Sequence, residues 1–258
     1  MQPNSYIKDL ETSFGLNPAE HSTTRIFNVL ELVVADIVAG DELDVPKKLV
    51  EMFDKTARTA TRVWGPSEKF QLIRQTMNKF FSHVGSGSNV ETFRLNDKIL
   101  KLNCAWGGAA NDASCEWVKA CIRINGNKFV PKFYAMHQIG NVWCALGESL
   151  ESNDLYECPE EHALAEIVSI GKKSSYDTYE DFVIENLGDP IMAFLAMGRE
   201  ETIQMAEVLA DVKKQTRSED DLACFNMMCR GKIPVINDPL SGGLKQYKQA
   251  YLYEWVDR

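Results

Sequence analysis

The chain has 258 residues, of which 45% are hydrophobic and 25% charged, so it is long enough to bury a substantial core in one large domain or in two lobes. Its N-terminus lacks a basic region followed by an apolar stretch, which favours a cytoplasmic location over secretion. The most apolar stretch, residues 26–38, contains two carboxylates and is too short to span a bilayer, so no membrane span is expected.

Charge is distributed unevenly along this acidic chain, whose net charge is −9. Residues 47–132 contain 15 Lys and Arg against 7 Asp and Glu, whereas the rest of the chain contains 13 against 30. A basic stretch within an acidic protein indicates a face that binds a polyanion such as RNA, or complementary surfaces on neighbouring copies of one chain. The sequence therefore predicts RNA or another polyanion as a partner, together with a homo-oligomer.

The first third of the chain has the signals of three helices. An Asn-Pro pair at residues 17–18 predicts the start of the first helix, which continues to Val38 and ends at a left-handed Gly40. The second is predicted over residues 44–64, where a Gly-Pro pair follows. The third is predicted over residues 67–83, because its apolar residues recur at steps of three and four.

Beyond a Gly-Ser hinge at residues 85–88 the pattern changes from helical to extended. Stretches rich in β-branched and aromatic residues predict five strands, at residues 90–95, 99–106, 115–124, 129–137 and 142–146. The pair Asn125-Gly126 is typical of a two-residue hairpin turn. We expect a small antiparallel sheet of three to five strands.

Helical signals return in the last third. Helices are predicted over residues 159–171, 179–186, 189–198 and 200–213, and a last amphipathic segment over residues 244–255, after a loop that contains Pro234. The predicted fold class is α+β and mainly helical. It consists of a helical N-lobe (1–84), a β-rich middle region (85–150) and a helical C-lobe (151–258), either separate or as one continuous domain.

The most informative functional pattern is a basic stripe on the second predicted helix. Lys55, Arg58 and Arg62 recur at steps of three and four, which puts them on one helix face, and Phe53 and Trp64 are expected to add aromatic surface beside them. Such groups bind phosphates without regard to base sequence. Trp64 and further cations complete the predicted nucleic-acid-binding set: Lys69, Arg74, Lys98, Lys101 and Arg123.

Catalysis or metal binding would need other residues. Cys104 precedes a Gly-Gly pair that can bind an oxyanion, and with His137 it forms the best candidate for a Cys/His-dependent enzyme. Cys158 and His162 are four residues apart but lack zinc-finger spacing. The seven cysteines are unevenly spaced, which is typical of reduced thiols. No phosphate-loop or dinucleotide motif occurs, so neither a cofactor nor a metal is expected.

Three functional hypotheses follow. The first is a non-enzymatic, self-associating protein that binds nucleic acid in the manner of a nucleocapsid or coat protein. The second is the Cys104/His137 enzyme. The third is a matrix-like or adaptor-like protein that recognises other proteins through its acidic C-lobe and binds no nucleic acid.

Overall fold

The structure is a computed structural model that describes residues 23–60, 74–86, 90–104, 113–140, 142–152, 199–220, 227–231 and 233–241. The chain divides into two compact units. The described residues of unit 1 are those between 23 and 104 together with 134–149, and those of unit 2 lie between 113 and 133 and between 150 and 241. The lobe boundaries predicted at residues 84 and 150 stay predictions.

Unit 1 combines helices with one five-stranded sheet. Its elements are helix α1 (Thr23–Val38), a 3-10 helix (Glu42–Asp44), helix α2 (Val45–Ala60), a helical stretch at residues 74–80, and strands β1 (Ser82–Ser86), β2 (Glu91–Leu95), β3 (Lys98–Cys104), β4 (Phe133–Ile139) and β5 (Val142–Glu148). The strand order is β1-β2-β3-β5-β4. The pairs β1-β2, β2-β3 and β3-β5 are antiparallel. The expected antiparallel sheet of three to five strands is therefore confirmed.

The core of unit 1 lies between the sheet and its helices. Strand register aligns Phe93, Leu100 and Leu146 in one row across β2, β3 and β5, and all three are fully buried. Leu49 and Phe53 of α2 belong to the same buried cluster. Alternation along each strand puts every second side chain on this face, and α1 and α2 contribute buried residues to the same cluster.

Unit 2 contains two longer helices and short strands. They are α3 (Ala113–Arg123), β6 (Glu151–Ser152), α4 (Arg199–Thr216), β7 (Glu219–Asp220), β8 (Met227–Arg230), β9 (Ile233–Ile236) and β10 (Leu240–Ser241). The strands form a three-stranded sheet, β6-β8-β9, and a two-stranded sheet, β10-β7. Helix α3 contacts α4 and β10, which brings distant parts of the sequence together.

Hydrogen bonds attach the segment after α3 to the rest of unit 2. The amide of Asn127, which is 4% exposed, donates to the backbone oxygen of Glu201 and to Gln204 Oε1. The guanidinium of Arg230 donates to the backbone oxygens of Lys128 and Val130, at 2.8 and 3.1 Å. Asn127 is buried, and these bonds give its amide the partners that a buried polar group requires.

The prediction of a mainly helical fold is wrong. About half of the described residues are helical and nearly a third lie in strands, so sheet and helix share the architecture. The error is clearest in the predicted helical C-lobe, where the described residues hold one helix, α4, and five short strands. Strands of two to four residues are too short to show a period of two, so their sequences did not separate from loops.

The predicted strand at 115–124 is also wrong, because these residues belong to α3. Cysteine, tryptophan and valine side chains suggested a strand, but five of the seven buried positions follow steps of three and four: Ala113, Ser114, Trp117, Val118 and Cys121. The helical spacing of the buried side chains therefore decides the structure of this segment, and not the strand preference of its residue types. Asn125-Gly126 consequently lies in the turn that ends the helix, with Gly126 at a φ of +105°, and does not close a hairpin.

Three local predictions need correction as well. His83 lies in strand β1 and not in a helix, because the described helical stretch ends at residue 80. Gly40 is not in the left-handed conformation, and its N–H donates to the Ile37 oxygen. Pro234 lies in β9, opposite Cys229 of β8, and not in a loop. The tight connection that contains Gly231, at a φ of +62°, turns the chain between these two strands.

Several predicted helices and strands are confirmed. Helices α1, α2 and α4 and strands β2, β3 and β5 overlap their predicted ranges, and β4 begins four residues after the predicted strand. The helices predicted at 159–171, 179–186 and 189–198, and the segment at 244–255, lie outside the described residues.

Replacing Leu100 with alanine is expected to lower the free energy of unfolding by about 2–5 kcal/mol, because it leaves a cavity in the central apolar row. Urea denaturation followed by circular dichroism measures the change. Arg94→Ala is the control, since Arg94 is exposed on the adjacent strand, and should change the value by less than about 0.5 kcal/mol. Equal effects for the two variants would contradict this core.

Candidate nucleic-acid interface

The predicted basic stripe begins on α2. This helix buries Val45, Leu49 and Phe53 within unit 1. With 3.6 residues per turn, helix positions 55 and 58 fall on the opposite side of α2 from those buried positions. Phe53 is therefore core, and the expectation that it adds aromatic surface is wrong.

Lys47 and Lys48 extend the basic side of α2 toward its start. Lys47 is exposed and Lys48 half-buried, and both positions lie on the same side of the helix as position 55. Two carboxylates, Glu51 and Asp54, lie on or beside this side. Sequence reasoning missed the two lysines because it started the stripe at Lys55, although their spacing from Lys55 carried the signal.

Arg74 lies at the start of the helical stretch at 74–80. Its Nη1 is 3.9 Å from Glu91 Oε1, and its side chain is 42% exposed. Glu91 is also 2.7 Å from His83 Nε2, so it lies between two basic groups. The His83 ring meets the Phe93 ring edge-on, at 5.5 Å between centroids. The remaining members of the predicted set in this part of the chain, Arg62, Trp64 and Lys69, lie outside the described residues.

Lys98 is held by two carboxylates. Its Nζ is 2.9 Å from Glu42 Oε2 and 2.7 Å from Asp97 Oδ1. Lys98 donates hydrogen bonds to both carboxylates, and these bonds raise its pKa above the ordinary value, with Asp97 the larger cause and Glu42 the second. Asn96, at a φ of +55° in the β2-β3 turn, donates to Glu42 and is the largest cause of the lowered Glu42 pKa. Through these contacts, Asn96 and Lys98 connect the 3-10 helix that contains Glu42 to strands β2 and β3.

Lys101 and Arg123 differ in exposure and in the unit to which they belong. Lys101, in the middle of β3, is only 6% exposed. Arg123 is exposed at the end of α3, in unit 2. Three of the predicted residues, Arg74, Lys98 and Lys101, therefore lie on or beside the sheet of unit 1. The predicted positions 55 and 58 are on α2.

Carboxylates accompany much of the basic stretch between residues 47 and 132. Among the described residues, the cations of this stretch that form ion pairs include Arg74, Lys79, Lys98, Lys119 and Lys128. Three of their partners lie outside the stretch, namely Glu31, Glu42 and Glu201. The net charge of residues 47–132 consequently overstates their positive surface, because carboxylates from other parts of the sequence pair with their cations in the folded chain.

An exposed aromatic side chain near Lys98 was not anticipated. Tyr134, on β4, is 49% exposed, and Lys98 Nζ lies 6.0 Å from its ring centroid. Exposed aromatic rings next to cations are the surfaces on which unpaired bases stack. The sequence contained no signal for it, since a tyrosine in a strand faces solvent or core according to a register that only the fold defines.

The structure adds no support to the predicted Cys/His dyad or to the cysteine-histidine pair considered for zinc. Cys104 lies on β3 and His137 on β4, and β5 runs between these strands, which separates the two backbones by about 10 Å. The Cys104/His137 dyad stays a prediction that the strand order does not favour. Cys158 and His162 lie outside the described residues, within which no group of three or more potential metal ligands occurs.

Comparison with known proteins gives no guide to function. No protein-family model matches the chain, and no curated protein matches it. Within the described part of the chain, no helix has the length and apolar character needed to cross a membrane.

The carboxylates around Lys98 predict a loss of stability in acid. Lys98 lowers the pKa of Asp97, and Asn96 and Lys98 lower that of Glu42. A lowered folded-state pKa contributes stability above the unfolded pKa, and this contribution is lost as pH falls through the folded pKa. The wild type should therefore lose more stability than the double variant Glu42→Gln, Asp97→Asn when pH falls from about 6 to 3.

Urea midpoints measured across this pH range test the prediction. The difference between the two proteins should shrink toward acid pH, because protonated carboxyl groups no longer attract the Lys98 ammonium. A double variant at Glu51 and Asp54, with the same amide substitutions on α2, controls for the change in net charge. A constant difference across the range would contradict the proposed role of the cluster.

Proposed function

We propose that this protein binds single-stranded RNA through the phosphate backbone and self-associates, as a nucleocapsid or coat-like protein does. The observation that carries the proposal is the orientation of α2. Its apolar side is buried in the core of unit 1, so the side that bears positions 55 and 58 and the exposed Lys47 faces away from that core.

The charge on this side of α2 supports phosphate binding. Between residues 47 and 58 it carries four Lys and Arg against two carboxylates, and Arg62 continues the same spacing. A helix face that presents several cations binds successive phosphates and releases their counterions, without the need to recognise bases. Such binding is independent of sequence, which suits a protein that coats RNA.

The sheet residues contribute in a different way. Arg74 and Lys98 pair with carboxylates, so a phosphate that binds there has to compete with Glu91, Glu42 and Asp97. Tyr134 provides an exposed ring on which a base can stack. In the proposed complex α2 therefore supplies most of the salt-dependent affinity, and the sheet supplies the weaker contacts.

We also propose a cytoplasmic location. Cys115, Cys121, Cys144 and Cys229 are thiols and form no disulfide, and all but Cys229 are buried. Buried thiols of this kind are typical of proteins that fold in a reducing compartment.

The proposal predicts a salt-dependent loss of RNA affinity when the stripe is neutralised. Changing Lys55, Arg58 and Arg62 to glutamine should weaken binding by similar factors for unrelated single-stranded RNAs. The slope of log affinity against log salt should fall by about 0.7 for each phosphate that the variant no longer neutralises. Fluorescence-anisotropy titrations at several salt concentrations measure both effects.

A matched variant separates this stripe from net charge. Lys213, Lys214 and Arg217, at the end of α4, changed to glutamine, remove the same charge from unit 2 and should leave the slope unchanged. Circular dichroism confirms that each variant folds. Equal slopes for the wild type and the α2 variant would sink the proposal, as would a wild type without RNA affinity at low salt, and a protein-interaction module would then be the better account.

A further inference from the structure

The two outer strands of the five-stranded sheet differ in how well they are protected. An edge strand presents a row of backbone N–H and C=O groups that can pair with another strand, and proteins protect such edges with bulges, glycine, proline or charged residues. Strand β1 has a bulge between His83 and Gly85. Strand β4, at the other edge, contains no glycine, proline, lysine, arginine, aspartate or glutamate.

Strand β4 carries no Lys, Arg, Asp or Glu along its length. Its seven residues, Phe-Tyr-Ala-Met-His-Gln-Ile from Phe133 to Ile139, include no Lys, Arg, Asp, Glu, Pro or Gly. Tyr134 is 49% exposed, and residues 135–139 are half-buried. A seven-residue strand of this composition is long enough to accept another strand, since strands in proteins average five to six residues.

The sequence of β4 is complementary to itself when two copies run antiparallel. A two-fold axis at Met136 places Phe133 opposite the second copy's Ile139, and Tyr134 opposite the second copy's Gln138. It also places Ala135 opposite His137. The first pair is aromatic-aliphatic, and such pairs stabilise neighbouring strands. The other two pairs place no like charges opposite one another.

We propose that β4 pairs antiparallel with β4 of a second copy of this chain, which joins two five-stranded sheets into one sheet of ten strands. The proposal rests on the self-association in the proposed function and identifies the surface that carries it. A second copy is the chosen occupant because a two-fold axis satisfies both edges at once and leaves no new edge at this side of the sheet. The α2 stripe takes no part in this contact.

Like charges at the two-fold axis test the proposal. Met136→Lys and Met136→Glu each place two like-charged side chains directly opposite one another across the axis, so each should raise the dimer dissociation constant at least about tenfold. A mixture of the two variants places Lys opposite Glu and should recover the wild-type mass. Sedimentation velocity of nuclease-treated protein measures the masses, which excludes association through bound RNA.

Val84→Lys is the matched control, because it places the same charge on an exposed position of the other edge strand and should leave the dimer intact. If Met136→Lys fails to fold by circular dichroism, a second charge-swap pair uses the opposing positions 134 and 138: one double variant carries Tyr134→Lys and Gln138→Lys, and the other carries Tyr134→Glu and Gln138→Glu. A Met136→Lys protein that keeps the wild-type mass overturns the assignment to β4, and so does a mixture that stays monomeric.

The mass measurements distinguish failure of self-association from failure of the β4 contact. A wild type that is monomeric at its highest soluble concentration overturns self-association and the β4 contact together. A dimer that Met136→Lys leaves intact overturns only the β4 contact. RNA affinity, measured on the α2 variant, is independent of both outcomes because positions 55, 58 and 62 are not on β4.

Discussion

The burial of the apolar side of α2 against the sheet is the constraint on which the rest of unit 1 depends. Phe53 and Leu49 meet a sheet whose central row, Phe93, Leu100 and Leu146, is sealed from solvent. A helix buried on one side can present its polar residues only on the other. Core packing, and not attraction to a ligand, therefore decides which side of α2 faces away from the core, and Lys47 on that side is exposed.

The same packing leaves the sheet with two edges of different character. Strand β1 is interrupted by its bulge, and β2 holds it partly through the contact between His83 and Glu91. Strand β4 lies at the other edge, next to β5, and carries no Lys, Arg, Asp, Glu, Pro or Gly. Among the described residues, the two edge strands of unit 1 thus differ in both regularity of pairing and composition.

The sequence predicted the longer elements of unit 1 well, because each repeats its pattern often enough to be recognised. Strands β2 and β3 alternate, and α1 and α2 keep helical spacing over 16 residues each. Prediction failed where composition and period disagreed. In α3 the residues Cys115, Trp117 and Val118 favour a strand by type, yet a helix buries them together because its contacts are with α4 and β10, distant in sequence.

The candidate site was predicted less completely than the fold. Helical spacing places positions 55 and 58 on one side of α2 from helix geometry alone, and the binding role of the stripe stays a prediction. Which cations would pair with carboxylates could not be predicted. Lys98 and Glu42 are 56 positions apart and Lys79 and Glu31 are 48 apart, so these ion pairs exist only because the fold brings the 3-10 helix to β3 and α1 to the helical stretch at 74–80.

These ion pairs change how the basic stretch has to be interpreted. A phosphate that binds Lys98 must displace Glu42 and Asp97 or tolerate them nearby, and either arrangement costs part of the Coulomb attraction that it gains. Counterion release is correspondingly smaller there, since a carboxylate already neutralises the lysine. On the outer side of α2 the cations outnumber the carboxylates, and Lys47 is exposed. In the proposed complex, the charged surface that binds RNA is therefore much smaller than the basic stretch of sequence, and it lies on α2, whose apolar side the core buries.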